Sequence, residues 1–198
     1  MRWDDADWRA WRPEEAAERL GGLDVPWYVA GGWAIDLFVG HERREHEDLE
    51  IAVPADRFAD VAALLDRLEW FTVGDGAVAS LSEAPERLAE THQTWGLDRA
   101  ANAWRIDAFR EPSDDGTWVC RRDAAIRLPY AELIERTPDG VPYLRPEVAL
   151  LFKAKAARPK DESDLEDVLP LLGETRRALL RSWLALVHPE HAWLVRLS

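Results

Sequence analysis

The chain has 198 residues, of which 47% are hydrophobic and 32% are charged. This balance is typical of a soluble globular protein and excludes wholesale disorder and a collagen-like structure. The net charge of −13 opposes binding to nucleic acids and to anionic membranes, and it favours small cationic ligands. The single cysteine, Cys120, excludes an intramolecular disulfide framework and a cysteine-rich zinc site.

The sequence has no pattern of a targeting segment or a membrane span. Residues 1–7 are acidic and lack the apolar region of a signal peptide. The longest apolar stretch, 27–35, is far shorter than the roughly 20 residues that cross a bilayer. Together with the single cysteine, these features predict a cytoplasmic protein without membrane contact.

The first elements along the chain are a helix, a strand and a second helix. Proline at the first position, acids in the first turn and two glycines at the end predict a helix over 13–20. The aromatic and β-branched run at 27–30 predicts a strand that leads directly into Gly31-Gly32. A helical pattern follows over 33–39. A glycine pair at a helix N-terminus exposes backbone N–H groups, which predicts a phosphate site.

The middle of the chain predicts a small sheet. Polar and apolar residues alternate over 46–53 and again over 104–109, which predicts two half-buried strands. Between them, apolar residues at helical spacing predict an amphipathic helix over 54–70. The segment 71–81, with a glycine-rich turn in its middle, predicts a hairpin, and 118–120 predicts a further short strand.

The last third of the chain changes to a helical pattern. Helices are predicted over 147–157, 161–172 and 174–187. We therefore predict an α+β fold, with a small mixed sheet flanked by helices over 1–140 and a C-terminal helical subdomain over 141–198 packed against it.

Two acids in the strand predicted over 46–53 are the strongest chemical signal. Residues two apart on a strand share a face, so Asp48 and Glu50 are expected to project together. Two carboxylates about 5 Å apart, at an effective dielectric near 20, repel by about 3 kcal/mol. They are either solvated surface acids or ligands of a hard cation such as Mg²⁺.

A third acid, Asp107, lies on the strand predicted over 104–109. If this strand lies beside that of Asp48, Asp107 joins the acid cluster. It would then be a third metal ligand or a general base that takes a proton from an attacking hydroxyl.

These motifs together resemble the nucleotidyltransferase (DNA polymerase β-like) superfamily, in particular its aminoglycoside 2″-nucleotidyltransferase-like branch. The matching residues are Gly31-Gly32-Trp33-Ala34-Ile35-Asp36, then 43–46, then Glu47-Asp48-Leu49-Glu50-Ile51. Trp33 stands where the wider superfamily often has serine, and the second acid is Glu50 rather than aspartate.

The resemblance implies an enzyme that uses an NTP, in the first place ATP, with Mg²⁺. The triphosphate would bind near Gly31-Gly32, and Asp48 and Glu50 would hold the metal, with Asp107 as a third ligand or as the base. A hydroxyl of a small acceptor would attack the α-phosphorus, so that the nucleoside monophosphate is transferred and pyrophosphate leaves. The branch implies an aminoglycoside acceptor and hence antibiotic resistance, in a monomer or a homodimer.

Further residues are candidates for contacts with the nucleotide, each with a purely structural alternative. Lys153, Lys155 and Lys160 are the only lysines in the chain. We expect Lys153 or Lys155 to contact the triphosphate, the alternative being a solvated helix face paired with nearby acids. The other candidates are His46, which orders the acids or contacts a phosphate, Arg44, which holds phosphate or lies on a loop, and Trp33, which lines the pocket or packs in the core.

Two other functions agree with the same motifs. The acceptor could be a protein side chain or an RNA end, although the net charge of −13 disfavours RNA. Alternatively, the chain could be a non-catalytic binding module, such as an antitoxin-type partner. Three mutually repelling acids around an empty site disfavour that alternative.

Overall fold

The computed structural model of the protein describes residues 5–197. The start of the acidic N-terminal segment, residues 1–4, and residue 198 lie outside the described residues. The strands are β1 (Asp7–Trp8), β2 (Tyr28–Val29), β3 (Glu50–Pro54), β4 (Leu68–Gly74), β5 (Ala77–Ser80), β6 (Gln93–Asp98), β7 (Ala103–Glu111), β8 (Ser113–Asp114), β9 (Thr117–Val119), β10 (Arg127–Pro129), β11 (Ile134–Arg136) and β12 (Pro142–Leu144). The α-helices are α1 (Pro13–Leu20), α2 (Gly31–Val39), α3 (Phe58–Leu64), α4 (Arg87–Glu90), α5 (Tyr130–Leu133), α6 (Pro146–Lys153), α7 (Pro159–Val168), α8 (Glu174–Val187) and α9 (Trp193–Arg196).

A mixed sheet of nine strands forms the centre of the molecule. Its order is β11-β12-β2-β3-β7-β6-β4-β5, with β1 parallel to β7, and three short strands form a second sheet in the order β10-β9-β8. The pairs β3·β7 and β12·β2 are parallel, and the other pairs along the main path are antiparallel. The predicted mixed sheet flanked by helices is confirmed.

One hydrophobic core joins the sheet to the C-terminal helices. It contains Ile51 of β3, Ile106 of β7, Leu150 of α6 and Leu180 of α8, all completely buried. Burial of apolar surface is the main favourable term in folding, so the C-terminal helices are held against the sheet by this shared core. Over the described residues, no helix combines the length and the apolar character needed to cross a membrane.

The first helices follow the prediction closely. Helix α1 has the predicted bounds, and α2 begins two residues earlier than predicted, at the glycine pair itself. Gly40 ends α2 in the left-handed conformation, with φ of 91°, and its N–H donates to the carbonyl of Asp36. Glycine adopts this conformation without steric cost, which explains the sharp end of the helix.

The helix predicted over 54–70 is wrong in its second half. A 3₁₀ turn leads into α3, which ends at Leu64, and Leu68 already belongs to β4. Leu68 fits the helical period of the preceding apolar residues, but Leu68 and Trp70 also lie two residues apart, as one face of a strand requires. Their pairing with β6 decides between the two structures, because it supplies sheet hydrogen bonds that the local pattern does not reveal.

Strand β6 is absent from the prediction, and β3 is shorter than predicted. Gly96 interrupts the pattern of β6, yet a Cβ there would lie 2.8 Å from Leu68 Cδ1 and 2.9 Å from Ile106 Cγ2. The glycine therefore permits close packing within the sheet. Strand β3 begins at Glu50 rather than His46, because β2 ends at Val29 and offers no partner further along.

The later helices and the boundary between the two parts also differ in detail. Helices α6 and α7 begin one or two residues before the predicted starts and end four residues before the predicted ends, and α8 has the predicted bounds. The turn at 137–140 connects β11 and β12, which both belong to the main sheet. The division into a domain over 1–140 and a helical subdomain over 141–198 stays a prediction.

Candidate active site

A cavity of about 520 Å³ opens between the N-terminus of α2, the face of β3 and β7, and the end of α6. It collects most of the residues that the sequence predicts for the site, drawn from segments far apart in the chain. The predicted site residues that line it are Gly31, Gly32, Arg44, His46, Asp48, Glu50 and Lys153. The predicted residues Trp33, Asp107 and Lys155 are not part of its lining.

The glycine pair permits side chains to lie directly against the start of α2. Gly31 has φ of 62°, and a Cβ there would lie 2.2 Å from Glu50 Oε2. A Cβ on Gly32 would lie 2.3 Å from a terminal nitrogen of Arg44 and 2.6 Å from His46 Cε1. No side chain caps this helix N-terminus. Its free N–H groups and its dipole therefore suit a phosphate.

Glu50 and Asp107 stand opposite each other in the parallel register of β3 and β7, as the prediction for neighbouring strands required. Asp107 is only 2% exposed and lies beside Glu50 beneath the cavity surface. Burial and the charge of Glu50 raise the pKa of Asp107 well above its usual value. Burial, and then the charge of Asp48, raises the pKa of Glu50. Asp48 precedes β3 and lines the cavity.

These acids have the chemistry of a site for a hard cation. Gln93 donates a hydrogen bond of 2.5 Å to Asp107 Oδ2, but none of the described residues supplies a hydrogen-bond partner for the buried Oδ1. Mutual repulsion and an unsatisfied buried carboxylate oxygen are both relieved by a divalent cation. Within residues 5–197, however, no three His, Cys, Asp or Glu side chains are already arranged as a metal site. The carboxylate ligands have the chemistry that the cation requires, but they are not yet arranged in the geometry of a bound metal site.

His46 is held by a buried acid and a tryptophan. Its Nε2 lies 2.7 Å from Asp36 Oδ2, and its ring stacks on Trp33 with 4.3 Å between the ring centroids. Burial lowers the pKa of His46, and the charge of Arg44 acts in the same direction. Trp33 is buried and supports His46 from below, so the structure places it in the core and not in the pocket wall.

A buried ionic network connects this part of the site to the C-terminal helices. Arg43 Nε donates to Asp36 Oδ1 at 2.7 Å, and its terminal nitrogens reach Asp164 and Asp167 at 2.6 Å each. Asp164 also pairs with Lys153 at 2.7 Å. Asp36 and Asp164 are almost completely buried, so the network fixes the loop before β3 relative to α7.

The predicted lysines divide into two groups. Lys153 lines the cavity, is 9% exposed and pairs with Asp164 and Asp161. It has the acidic partners of the structural alternative, but it lies on a buried face and not on a solvated one, and its contact with the triphosphate stays a prediction. Lys155 is exposed in the turn after α6, outside the cavity lining. Lys160 does line the cavity.

The prediction missed several residues of the cavity wall. Arg121, Arg158, Glu111 and the rings of Phe109 and Phe152 line it. Phe109 and Glu111 follow Asp107 at alternate positions on β7 and share its face. The only signal for Arg121 was an arginine pair directly after a short strand. Sequence reasoning could not place that turn opposite α6.

Comparisons with known proteins identify related sequences over the first half of the chain. A family model described as aminoglycoside-2''-adenylyltransferase matches residues 14–108. Curated proteins named 2''-aminoglycoside nucleotidyltransferase, from Escherichia coli and Klebsiella pneumoniae, are 27% identical over 77 residues. That alignment covers 39% of this chain, and it spans less than half, 44%, of each relative's length.

Solved structures agree with the architecture over most of the chain. ANT(2")-Ia in complex with adenylyl-2"-tobramycin gives a TM-score of 0.56 at 13% identity, over 87% of this chain and 95% of that one. The lincomycin-bound lincosamide antibiotic adenylyltransferase LnuA gives 0.54 at 16% identity, over 79% and 94%. These likenesses confirm the predicted nucleotidyltransferase fold. With the family model, they confirm the predicted resemblance.

Proposed function

We propose that this chain, which has the nucleotidyltransferase fold and matches the aminoglycoside-2''-adenylyltransferase family model over residues 14–108, transfers a nucleoside monophosphate from an NTP to a hydroxyl of a small acceptor. ATP is the proposed donor and Mg²⁺ the proposed metal. One observation carries the proposal. Asp48 and Glu50 line the same cavity as the uncapped N-terminus of α2, and Asp107 lies in register beside Glu50.

The N-terminus of α2 is the proposed site for the triphosphate. Gly31 and Gly32 line the cavity at this helix N-terminus, and Arg44 and Lys153 line it as well and add positive charge. Phosphoryl transfer depends mostly on positioning and on neutralising charge, which such a cradle supplies. A divalent cation held by Asp48, Glu50 and Asp107 would supply further neutralisation of the phosphate oxygens.

At the α-phosphorus, the proposed reaction forms one P–O bond and breaks another. The acceptor hydroxyl oxygen attacks the α-phosphorus, and the bond from this phosphorus to the bridging oxygen of the β-phosphate breaks. The hydroxyl proton passes to a base, and pyrophosphate carries away the leaving-group charge. Asp107 is the proposed base or the third metal ligand. Burial and the charge of Glu50 raise its pKa, which makes the carboxylate a stronger base than an ordinary aspartate.

An antibiotic with several hydroxyl groups is the proposed acceptor. The related proteins are named for aminoglycosides and for a lincosamide, and both kinds of molecule offer hydroxyl groups. Glu45 and Glu47 are exposed where they line the cavity, and the whole chain carries a net charge of −13. This field attracts cationic acceptors, so we favour an aminoglycoside.

The test is pyrophosphate release from each of the four NTPs with Mg²⁺, measured against aminoglycosides, lincosamides and other hydroxylated molecules. The control is Asp48→Ala, which removes a repelling charge and is expected to fold. We expect release that needs both an acceptor and Asp48. Release that persists in Asp48→Ala, or no release with any acceptor, would contradict the proposed function.

A further inference from the structure

Arg121 lies in the wall of the cavity, in the turn after β9, and is not among the residues predicted for the site. Its guanidinium lies between two aromatic rings, 5.1 Å from the centroid of Phe109 on β7 and 5.0 Å from that of Phe152 on α6. Both rings also line the cavity. Packing against two rings from different elements restricts the orientation of the guanidinium plane. The guanidinium of a mobile surface arginine has no such restriction.

The hydrogen-bonding capacity of Arg121 is largely unused. Among the described residues, Glu111 supplies the one carboxylate within ion-pair distance, with 3.2 Å between Arg121 Nη1 and Glu111 Oε1. A guanidinium has five N–H donors, so most of its donors are left for a ligand. The side chain is 26% exposed, and therefore a ligand in the cavity can reach it.

The neighbouring Arg122 also lines the cavity, and its guanidinium lies 4.7 Å from the centroid of Phe152, but its donors are used differently. Its two terminal nitrogens donate to the carbonyl oxygens of Leu151 and Phe152, at 2.7 Å each. These are carbonyls at the end of α6, where a cation is favourable to the helix dipole. The terminal nitrogens of Arg122 thus form hydrogen bonds within the fold, and, among the described residues, those of Arg121 do not.

The charges around Arg121 indicate an anionic ligand. Arg121 lines the same cavity as Asp48 and Glu50, and its positive charge favours the charged form of the Glu50 carboxylate. A cationic acceptor would be repelled by Arg121, whereas a phosphate matches the planar fork of a guanidinium. We infer that Arg121 binds a phosphate of the NTP in the cavity that it shares with the N-terminus of α2. This inference rests on the proposed function.

The test is the dissociation constant of ATP with Mg²⁺, measured by calorimetry for the wild type and for Arg121→Met. Methionine keeps an unbranched side chain between the two rings and removes the charge. We expect binding to weaken roughly ten- to a hundredfold, as for the loss of a charge-assisted hydrogen bond. Arg121→Lys should fall between the two, because it keeps the charge and loses the fork.

A second variant separates binding from a purely structural role. Removing Arg121 leaves Glu111 buried without its cation, and that alone could disturb the cavity. The double variant Glu111→Gln/Arg121→Met removes both charges. We expect its affinity for ATP to stay as weak as that of Arg121→Met. Wild-type affinity in the double variant would show that Arg121 only neutralises Glu111 and would overturn the inference.

Arg122→Met is the matched control from the same turn. It should lower the melting temperature, because two carbonyls of α6 lose their donor. Although Arg122 also lines the cavity, its terminal nitrogens are bound to these carbonyls, so the variant should weaken ATP binding by the folded protein much less than Arg121→Met does. Weakening by Arg122→Met equal to that by Arg121→Met would overturn the inference. If acceptor-dependent pyrophosphate release is present but Arg121→Met binds ATP normally, only the inference fails. A wild-type chain that binds no ATP overturns both the inference and the proposed function.

Discussion

At the scale of single residues, the proposed role of Asp107 opposes the stability of the metal-free fold. Its carboxyl is buried beside Glu50, and one of its oxygens has no partner among the described residues. Burial and the charge of Glu50 raise the pKa of this group. A raised pKa means that the folded state binds the proton more tightly than the unfolded state. The metal-free protein therefore loses stability as the pH rises from the ordinary aspartate pKa, near 4, through the higher folded pKa.

Asp107→Asn removes this charge and keeps the shape and the acceptor for Gln93. Without metal at neutral pH, we expect its melting temperature to rise by a few degrees, at about 2–4 °C per kcal/mol for a protein of this size. Its nucleotidyl transfer should fall by at least about a hundredfold, as for the loss of a general base. Thermal unfolding between pH 4 and pH 8, with chelator present, checks the first part. An unchanged or lower melting temperature at neutral pH would show that the Asp107 carboxylate does not destabilise the fold.

Gly31 supplies a second prediction at this scale, with Gly40 as its matched control. Both glycines have positive φ, at 62° and 91°, but only Gly31 faces a side chain, since nothing lies within 4 Å of a Cβ at Gly40. Alanine should cost each site about 1 kcal/mol of backbone strain. Gly31→Ala should in addition displace Glu50 and reduce turnover more than tenfold. Turnover of both variants is measured under the same conditions. Equal losses of turnover would show that the close approach of Gly31 to Glu50 is not needed for the reaction.

At the scale of elements, the loop before β3 is fixed by ions and not by regular structure. Arg43 is 10% exposed and joins Asp36 of α2 to Asp164 of α7. We expect Arg43→Ala to lower the free energy of unfolding by about 3 kcal/mol, because the buried Asp36 loses its guanidinium and the buried Asp164 keeps only Lys153 as its cation. The control is Arg57→Ala, which breaks an exposed pair with Asp60 and should cost less than about 1 kcal/mol. Denaturant unfolding of both variants measures the difference, and a loss for Arg43→Ala as small as for Arg57→Ala would refute the buried network.

The secondary-structure elements differ in how well the sequence predicts them. Helices α1, α2 and α8 were predictable because their start and stop signals are local, such as Pro13 and Gly40. Strand β6 and the early end of α3 were not, because β4 and β6 form through pairing between distant residues. The glycine pair and the acids at 48, 50 and 107 were found because their spacing carries chemistry. Arg121 was missed because its position opposite Phe152 depends on the tertiary fold.

At the scale of the whole molecule, the net charge of −13 has a kinetic consequence. If the acceptor is a polycationic aminoglycoside, the field of the chain attracts it, and salt screens that field over about 10 Å at 0.1 M. We expect the KM for the aminoglycoside to rise severalfold between low and high ionic strength at saturating ATP. An acceptor without charge, tested in parallel, should show little change. A KM for the aminoglycoside that is independent of salt would indicate that the net charge plays no part in capture.

In the proposed function, the protein joins a nucleoside monophosphate covalently to an acceptor in the cavity beside Asp48. Mass spectrometry of the acceptor after incubation with ATP, Mg²⁺ and protein tests it most directly, because it detects the new bond itself. The account predicts an acceptor that carries one covalently attached nucleoside monophosphate with the wild type and stays unmodified with Asp48→Ala. An acceptor that stays unmodified while ATP is hydrolysed, or one that Asp48→Ala still modifies, would contradict it.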